Sequence, residues 1–172
     1  ARKLPLRPGE MRLKSDWDDH LTTLFPEVRL KSFLEMRGGD AGPVDHVVAL
    51  SALWTGLLYD ADSLQAAADL IAGWTRADRQ QLLRDVSRLG LSAEIAGRPV
   101  LDIARELLAV AEAGLRRRAI PGPEGESDET AALEPLARWL EAGQSPADQL
   151  IAAFKGPWDG DIRHVYRTAS MF

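Results

Sequence analysis

The hydrophobic pattern of this chain changes period near residue 40. Before that point, Val28, Leu30, Leu34 and Met36 alternate with Arg29, Lys31, Phe33, Glu35 and Arg37, and Ser32 falls among the apolar set. Period two predicts a β-strand over about 28–37 with an apolar core face and a charged face. Gly38, Gly39, Asp40, Gly42 and Pro43 then break the chain. After them the spacing becomes helical. Val47, Val48, Leu50, Leu53, Trp54, Leu57 and Leu58 cover more than one face of a helix over about 44–59, which predicts burial.

Further helices follow from caps and periodicity. One is expected over about 62–74. Thr75 with Asp78 starts another, ending near Gly90. Residues 91–98 read as a turn. Pro99 suits the first position of a helix reaching about Arg118. Residues 120–128 read as a Pro/Gly/Glu-rich loop, and a helix is expected over about 129–142. Ser145-Pro146, with Asp148 at the third helical position, opens the next, reaching Phe154. Upstream of the strand, Ser15 is the expected cap of a short helix running to about Leu24, and Pro26 ends it. The fold class is α+β, mostly helical. A lone strand leaves its backbone groups without partners, so partner strands are expected either elsewhere in the chain or in further sequence.

Composition narrows the function classes. The 172 residues suit one domain or a substantial piece of a larger one. A net charge of −5 offers no broad basic surface for nucleic acid. Arg116-Arg117-Arg118 lies at a predicted helix end, where cations complement the helix dipole. The absence of cysteine excludes disulfides, thiolate metal sites and cysteine nucleophiles. No stretch approaches the roughly 18 apolar residues of a membrane span. These features together suggest a cytoplasmic protein. Residues 1–14 are basic and turn-rich and read as a linker or a cut edge, and residues 15–172 as the domain proper.

The charged strand face carries the candidate chemistry. A carboxylate can hold Mg²⁺ against nucleotide phosphates, and arginine meets phosphoryl oxygens with a planar, permanently charged fork. Glu35 and Arg37 share that face two residues apart. A solvated, salt-bridged outer strand is the plainer reading, with Lys31 or Arg37 against Glu35. His20, His46 and His164 have no second histidine at metal-ligand spacing. Trp54, Trp74, Trp139 and Trp158 fit helix packing. No Walker-type loop or nucleophile elbow is present.

The run Asp16-Trp17-Asp18-Asp19-His20-Leu21-Thr22-Thr23-Leu24-Phe25-Pro26-Glu27-Val28-Arg29-Leu30-Lys31, continuing through Leu34-Glu35-Met36-Arg37-Gly38 and Asp40, resembles the plant/proteobacterial-type glutamate–cysteine ligases. Their pattern reads D-W-x-x-H-L-T-T-x-F-P-E-V-R-L-K-x-x-L-E-M-R-G-x-D. Weaker similarity continues through Ala52-Leu53-Trp54, Gly56 to Asp60, Trp74, Gly114-Leu115, Ser145-Pro146-Ala147, Gly156 and Trp158. It covers nearly the whole chain but only the C-terminal portion of that family's polypeptide. The resemblance implies ATP- and Mg²⁺-dependent condensation of glutamate with cysteine through a γ-glutamyl phosphate, and a strand from a glutamine-synthetase-like antiparallel active-site sheet. A helical subdomain over about 44–154 would pack behind that sheet. Glutamine synthetases carry a similar R-x-E-x-R strand, whose acid binds metal and whose last arginine faces phosphate. Glu35 is therefore the expected metal ligand and Arg37 the expected stabiliser of the transferring phosphoryl group. Arg29 and Lys31 are expected to contact nucleotide or substrate. Implied partners are glutamate, cysteine, ATP and the remainder of the ligase polypeptide.

The chain departs from the family at Val44-Asp45-His46, where Trp-Arg-Arg is usual, and at Ser51, where proline is usual. It also lacks the disulfide cysteine that the plant enzymes carry near Val48. Two other readings stand beside the ligase: a non-catalytic helical interaction or oligomerisation module, and a γ-glutamyl ligase with another amine acceptor.

Overall fold

The computed structural model describes residues 13–23, 26–39, 42–123 and 125–168. The linker reading of residues 1–12, and Leu24, Phe25 and Asp40 of the ligase-like motif, lie outside them. The chain divides into two compact units, residues 1–40 and 41–172.

The first unit holds α1 (Lys14–Thr22), β1 (Val28–Leu30) and β2 (Leu34–Met36). Ser15 does not cap α1 as expected. The helix starts two residues earlier, with Leu13 at the cap position, and the Asp16 carboxylate accepts the Leu13 N–H at 2.8 Å. The single strand expected over 28–37 is instead a hairpin: β1 pairs antiparallel with β2, matching Val28 with Met36, Arg29 with Glu35 and Leu30 with Leu34. Lys31 to Phe33 form the bend. Strand backbone needs a hydrogen-bonding partner, and this segment supplies its own. Because partners are spaced evenly about Ser32, the alternation survives the fold-back, and Arg29 and Glu35 still share one face. The opposite face is not the covered core that the pattern predicts. Val28 is 44%, Leu34 60% and Leu30 79% exposed.

The second unit contains α2 (Val44–Leu58), α3 (Ala61–Ile71), α4 (Arg76–Leu89), β3 (Glu94–Ile95), β4 (Arg98–Pro99), α5 (Val100–Arg118), α6 (Glu134–Ala142), α7 (Pro146–Lys155) and α8 (Val165–Thr168). Local capping explains most helix starts. The Thr75 hydroxyl accepts the Asp78 N–H while Asp78 accepts the Thr75 N–H at 2.8 Å. Ser145 and Asp148 make the same reciprocal pair ahead of α7. Asp60 caps α3 through the Ser63 N–H at 2.8 Å, which starts that helix earlier than its periodicity suggests. The predicted turn at 91–98 holds a short hairpin, β3 with β4. Its central residues Ala96 and Gly97 have φ of 50° and 76°, the left-handed pair that a tight two-residue hairpin requires. The helix expected from 129 begins as a 3₁₀ turn, Thr130–Leu133, before α6.

Helix α5 packs on α2, with α3 and α6 beside them. Leu57, Ala111, Leu115 and Leu133 form the buried cluster at their junction. The α2–α5 crossing is a close approach of backbones. A Cβ added to Gly56 would lie 2.2 Å from the Ala111 carbonyl oxygen, and one on Gly114 would lie 2.1 Å from that of Gly56. Buried Ser63 ties α3 in by donating its hydroxyl to the Val110 carbonyl at 2.9 Å. Burial of α2 is confined to Ala49, Gly56 and Leu57. Its first turns leave Val44, Val47 and Val48 exposed, and Leu53, Trp54 and Leu58 further along are only partly buried, so the burial predicted for this helix is partial.

Candidate functional site

The hairpin register sets Arg29 directly across from Glu35. The Arg29 Nε–H donates to Glu35 Oε2 at 2.6 Å, and both side chains are partly buried, 24% and 32% exposed. This bond from Arg29 is the main cause that holds the Glu35 carboxyl below the usual carboxylate range. Partial burial opposes it, and the positive charges of Arg29, Lys31 and Arg37 add to it. The plainer sequence reading sets Lys31 or Arg37 against Glu35; Arg29 is the described direct partner, and the charges of Lys31 and Arg37 act on the same carboxylate.

The other expected site residues sit differently. Lys31 lies in the bend rather than within a strand, and its ammonium is 6.0 Å from the centre of the Phe33 ring. Arg37 follows β2, and its backbone N–H donates to the Glu27 carbonyl at 2.8 Å. The hairpin thus brings Arg29 and Glu35 into contact, with the charges of Lys31 and Arg37 close enough to act on Glu35. It also brings up Glu27, which the alternation alone did not single out. A Cβ on Gly38 would fall 2.6 Å from Glu27 Oε2, so this carboxylate lies against the backbone just past Arg37. Only the fold-back, with position 27 next in register before the Val28–Met36 pair, would have marked it.

Glu35 fits Mg²⁺ as one donor rather than as a complete site. It supplies a hard oxygen ligand, and Mg²⁺ is commonly held by one or two carboxylates together with phosphate oxygens and water. Among the described residues no group of three or more His, Cys, Asp or Glu side chains could hold a metal. The surrounding cations suit anions: three positive charges surround one carboxylate that is already paired with one of them.

The remaining candidates have structural partners. The Trp139 indole N–H donates to His46 Nε2 at 3.2 Å, joining α6 to α2. His20 lies against Trp17, and His164 stacks on Trp158, each with ring centres 5.9 Å apart. The arginines ending α5 are paired with carboxylates: Arg116 with Glu112, Arg117 with Asp60, and Arg118 with Glu129 at 3.7 Å. No helix among the described residues is long and apolar enough to cross a membrane.

Residues 4–168 match the model of glutamate-cysteine ligase family 2, and the chain belongs to that family. It is 40% identical over 166 residues to the chloroplastic glutamate–cysteine ligase of Medicago truncatula, covering 96% of this chain and 31% of that protein. The chloroplastic enzyme of Arabidopsis thaliana is 42% identical over 96% of this chain and 30% of its own length. The chloroplastic glutamate–cysteine ligase A of Oryza sativa subsp. indica is 39% identical over a similar share. The chain thus spans about a third of the length of these relatives.

Proposed function

We propose that this chain is the C-terminal portion of an ATP-dependent glutamate–cysteine ligase, which makes γ-glutamylcysteine in the first step of glutathione synthesis. The observation that carries the reading is the family match across residues 4–168. In the reaction, the γ-carboxylate of glutamate takes the terminal phosphoryl group of ATP, releasing ADP. The amine of cysteine then attacks the acyl carbon and expels phosphate. In the complete polypeptide the 28–36 segment would join a glutamine-synthetase-like antiparallel active-site sheet. We place the protein in the cytoplasm; the word chloroplastic belongs to the plant relatives.

In this reading each charged residue of the hairpin has a task. Glu35 would hold Mg²⁺, which when bound neutralises nucleotide phosphate oxygens. Arg37 would stabilise charge on the transferring phosphoryl group with its planar fork. Arg29 and Lys31 would meet nucleotide or substrate carboxylate. The other metal carboxylates and most substrate contacts would come from the rest of the polypeptide.

The test is steady-state synthesis of γ-glutamylcysteine by the full-length ligase carrying Glu35→Gln or Arg37→Ala. Loss of one such electrostatic contact lowers kcat on the order of 10²–10³-fold. Wild-type rates in both variants, with the fold intact, would remove these residues from the site.

A further inference from the structure

We propose that the His46–Trp139 hydrogen bond is a pH-sensitive tie: neutral His46 fastens α6 to the start of α2, and protonation of its ring releases Trp139. All its parts lie in the helical unit, so the tie is independent of the chemistry proposed for the hairpin. The Trp139 indole N–H donates to His46 Nε2 at 3.2 Å, and the two rings meet edge-on, with centres 5.7 Å apart and planes at 79°. An indole N–H can only donate, so the bond requires an acceptor on the imidazole. Neutral imidazole with its proton on Nδ1 offers one at Nε2. Imidazolium carries protons on both nitrogens and offers none. Histidine is the side chain whose charge ordinarily changes between about pH 5 and 8. Protonation therefore turns a donor–acceptor contact into one between two donors.

The surroundings make this contact matter. His46 and Trp139 both line two cavities. One, of about 270 Å³, is walled largely by apolar groups, among them Leu53 of α2 and Leu136 of α6. The other, of about 310 Å³, is also lined by Arg138 of α6 and Gln149 of α7. Both rings are partly buried, and among the described residues the indole N–H has no other acceptor. A partly buried donor that loses its acceptor costs more than the bond itself, so the indole must turn toward water and draw α6 with it. The charged neighbours are few. On α2, Asp45 Oδ1 accepts the His46 backbone N–H at 3.0 Å. On α6, Arg138 is paired with Glu134 at 3.0 Å. The α5 residues that share a cavity with His46 are Ala104, Leu107 and Leu108, and Arg105 beside them donates to the Leu140 carbonyl at 2.9 Å and pairs with Asp102 at 3.4 Å. Neither α3 nor the 3₁₀ turn Thr130–Leu133 supplies a residue to either cavity. Carboxylates and arginines ordinarily keep their charges over the range in which histidine changes its own, which leaves the imidazole as the group that switches.

The experiment is an NMR titration of the 172-residue chain across that pH range, following the Trp139 Nε1–H signal and the His46 ring signals. In unmodified protein the indole signal should move toward that of a free indole as pH falls, with the same midpoint as the His46 ring, a measurement that needs no variant to fold. His46→Gln supplies the control: its amide oxygen can accept the indole N–H at the same reach and does not titrate. In that variant the indole signal should stay in its hydrogen-bonded position throughout. The other two histidines are retained there, so a step that they cause would persist. Amide exchange reads the release of α6. At the acid end of the range, α6 amides should exchange about fivefold faster in wild type than in His46→Gln, the factor that one hydrogen bond of ordinary strength is worth. At the neutral end the two should agree. An indole signal that stays fixed in wild type, that moves with a midpoint other than that of His46, or that moves equally in His46→Gln would overturn the switch. Equal α6 exchange in the two proteins under acid would show that the bond does not tie α6, and would overturn it as well.

Discussion

At the scale of single residues, the best-supported polar site in the helical unit is Asp60. Its carboxylate accepts the Ser63 N–H that begins α3 and receives two donors from Arg117, with Nε–H to Oδ2 at 3.0 Å. Arg117 also donates to the Ser63 hydroxyl at 2.9 Å, and that hydroxyl reaches the Val110 carbonyl. The Arg117 hydrogen bond, followed by the Ser63 backbone N–H, holds the Asp60 carboxyl far below the usual carboxylate range. A carboxylate with a lowered folded-state pKa stabilises the fold in its charged form. That contribution is complete above the unfolded-state value of about 4 and fades as pH falls below it. Asp60→Asn should therefore lower the melting temperature at neutral pH and flatten its decline under acid, as thermal melts across the acid range would show. An acid limb identical to wild type would remove Asp60 from the account. The sequence marks Arg117 as a cation at a helix end. It does not mark Asp60 as its partner, because the two lie 57 positions apart and no local pattern links them. The same holds for Trp139 and His46, 93 positions apart.

At the scale of elements, the α2–α5 crossing is set by two glycines. Glycine to alanine in a helix interior ordinarily stabilises by up to about 1 kcal/mol. Here a new Cβ on Gly56 or Gly114 meets a backbone oxygen at 2.2 or 2.1 Å, and backbone cannot rotate aside as a side chain can. Overpacking typically costs about 1–3 kcal/mol, and an approach this close to backbone falls at the upper end, so the clash outweighs the propensity gain. Gly56→Ala and Gly114→Ala should each shift the urea midpoint strongly downward, whereas Gly73→Ala, with open space at its Cβ position, should not. Equal midpoints in all three would contradict the close crossing. What was legible at this scale was local. The Thr75–Asp78 and Ser145–Asp148 caps sit three residues apart and were read correctly. The hairpin was not, because period two is the same in one strand as in two strands folded about Ser32. The alternation therefore identified the Arg29–Glu35 face but not the contact across it. Val47 and Val48 lie on the apolar faces of α2 yet are exposed, because apolar spacing tells which residues share a face, not whether anything covers it.

At the scale of the whole molecule, the chain spans about a third of the length of its relatives, so the site proposed on the hairpin would be correspondingly partial. One carboxylate and three cations on a two-stranded hairpin cannot enclose a nucleotide, glutamate and cysteine together. The 172-residue chain alone should therefore make no γ-glutamylcysteine, and ATP-dependent product formation by it would refute the proposed division of labour. The same partial character predicts uneven stability. An isolated two-stranded hairpin is marginal in water, and this one leaves Val28, Leu30 and Leu34 exposed. In contrast, α2 and α5 surround the buried cluster of Leu57, Ala111, Leu115 and Leu133, and the Asp60–Ser63–Arg117 bonds tie α3 to them. Opening those helices requires loss of the core, so their amides should exchange only through near-global unfolding. Native-state hydrogen exchange on the isolated chain should find residues 28–36 close to unstructured rates. The central turns of α2 and α5 should be slower by at least about a thousandfold, the factor expected when protection follows global stability. Protection of the hairpin equal to that of α5 would show that residues 28–36 are held by more than their own pairing.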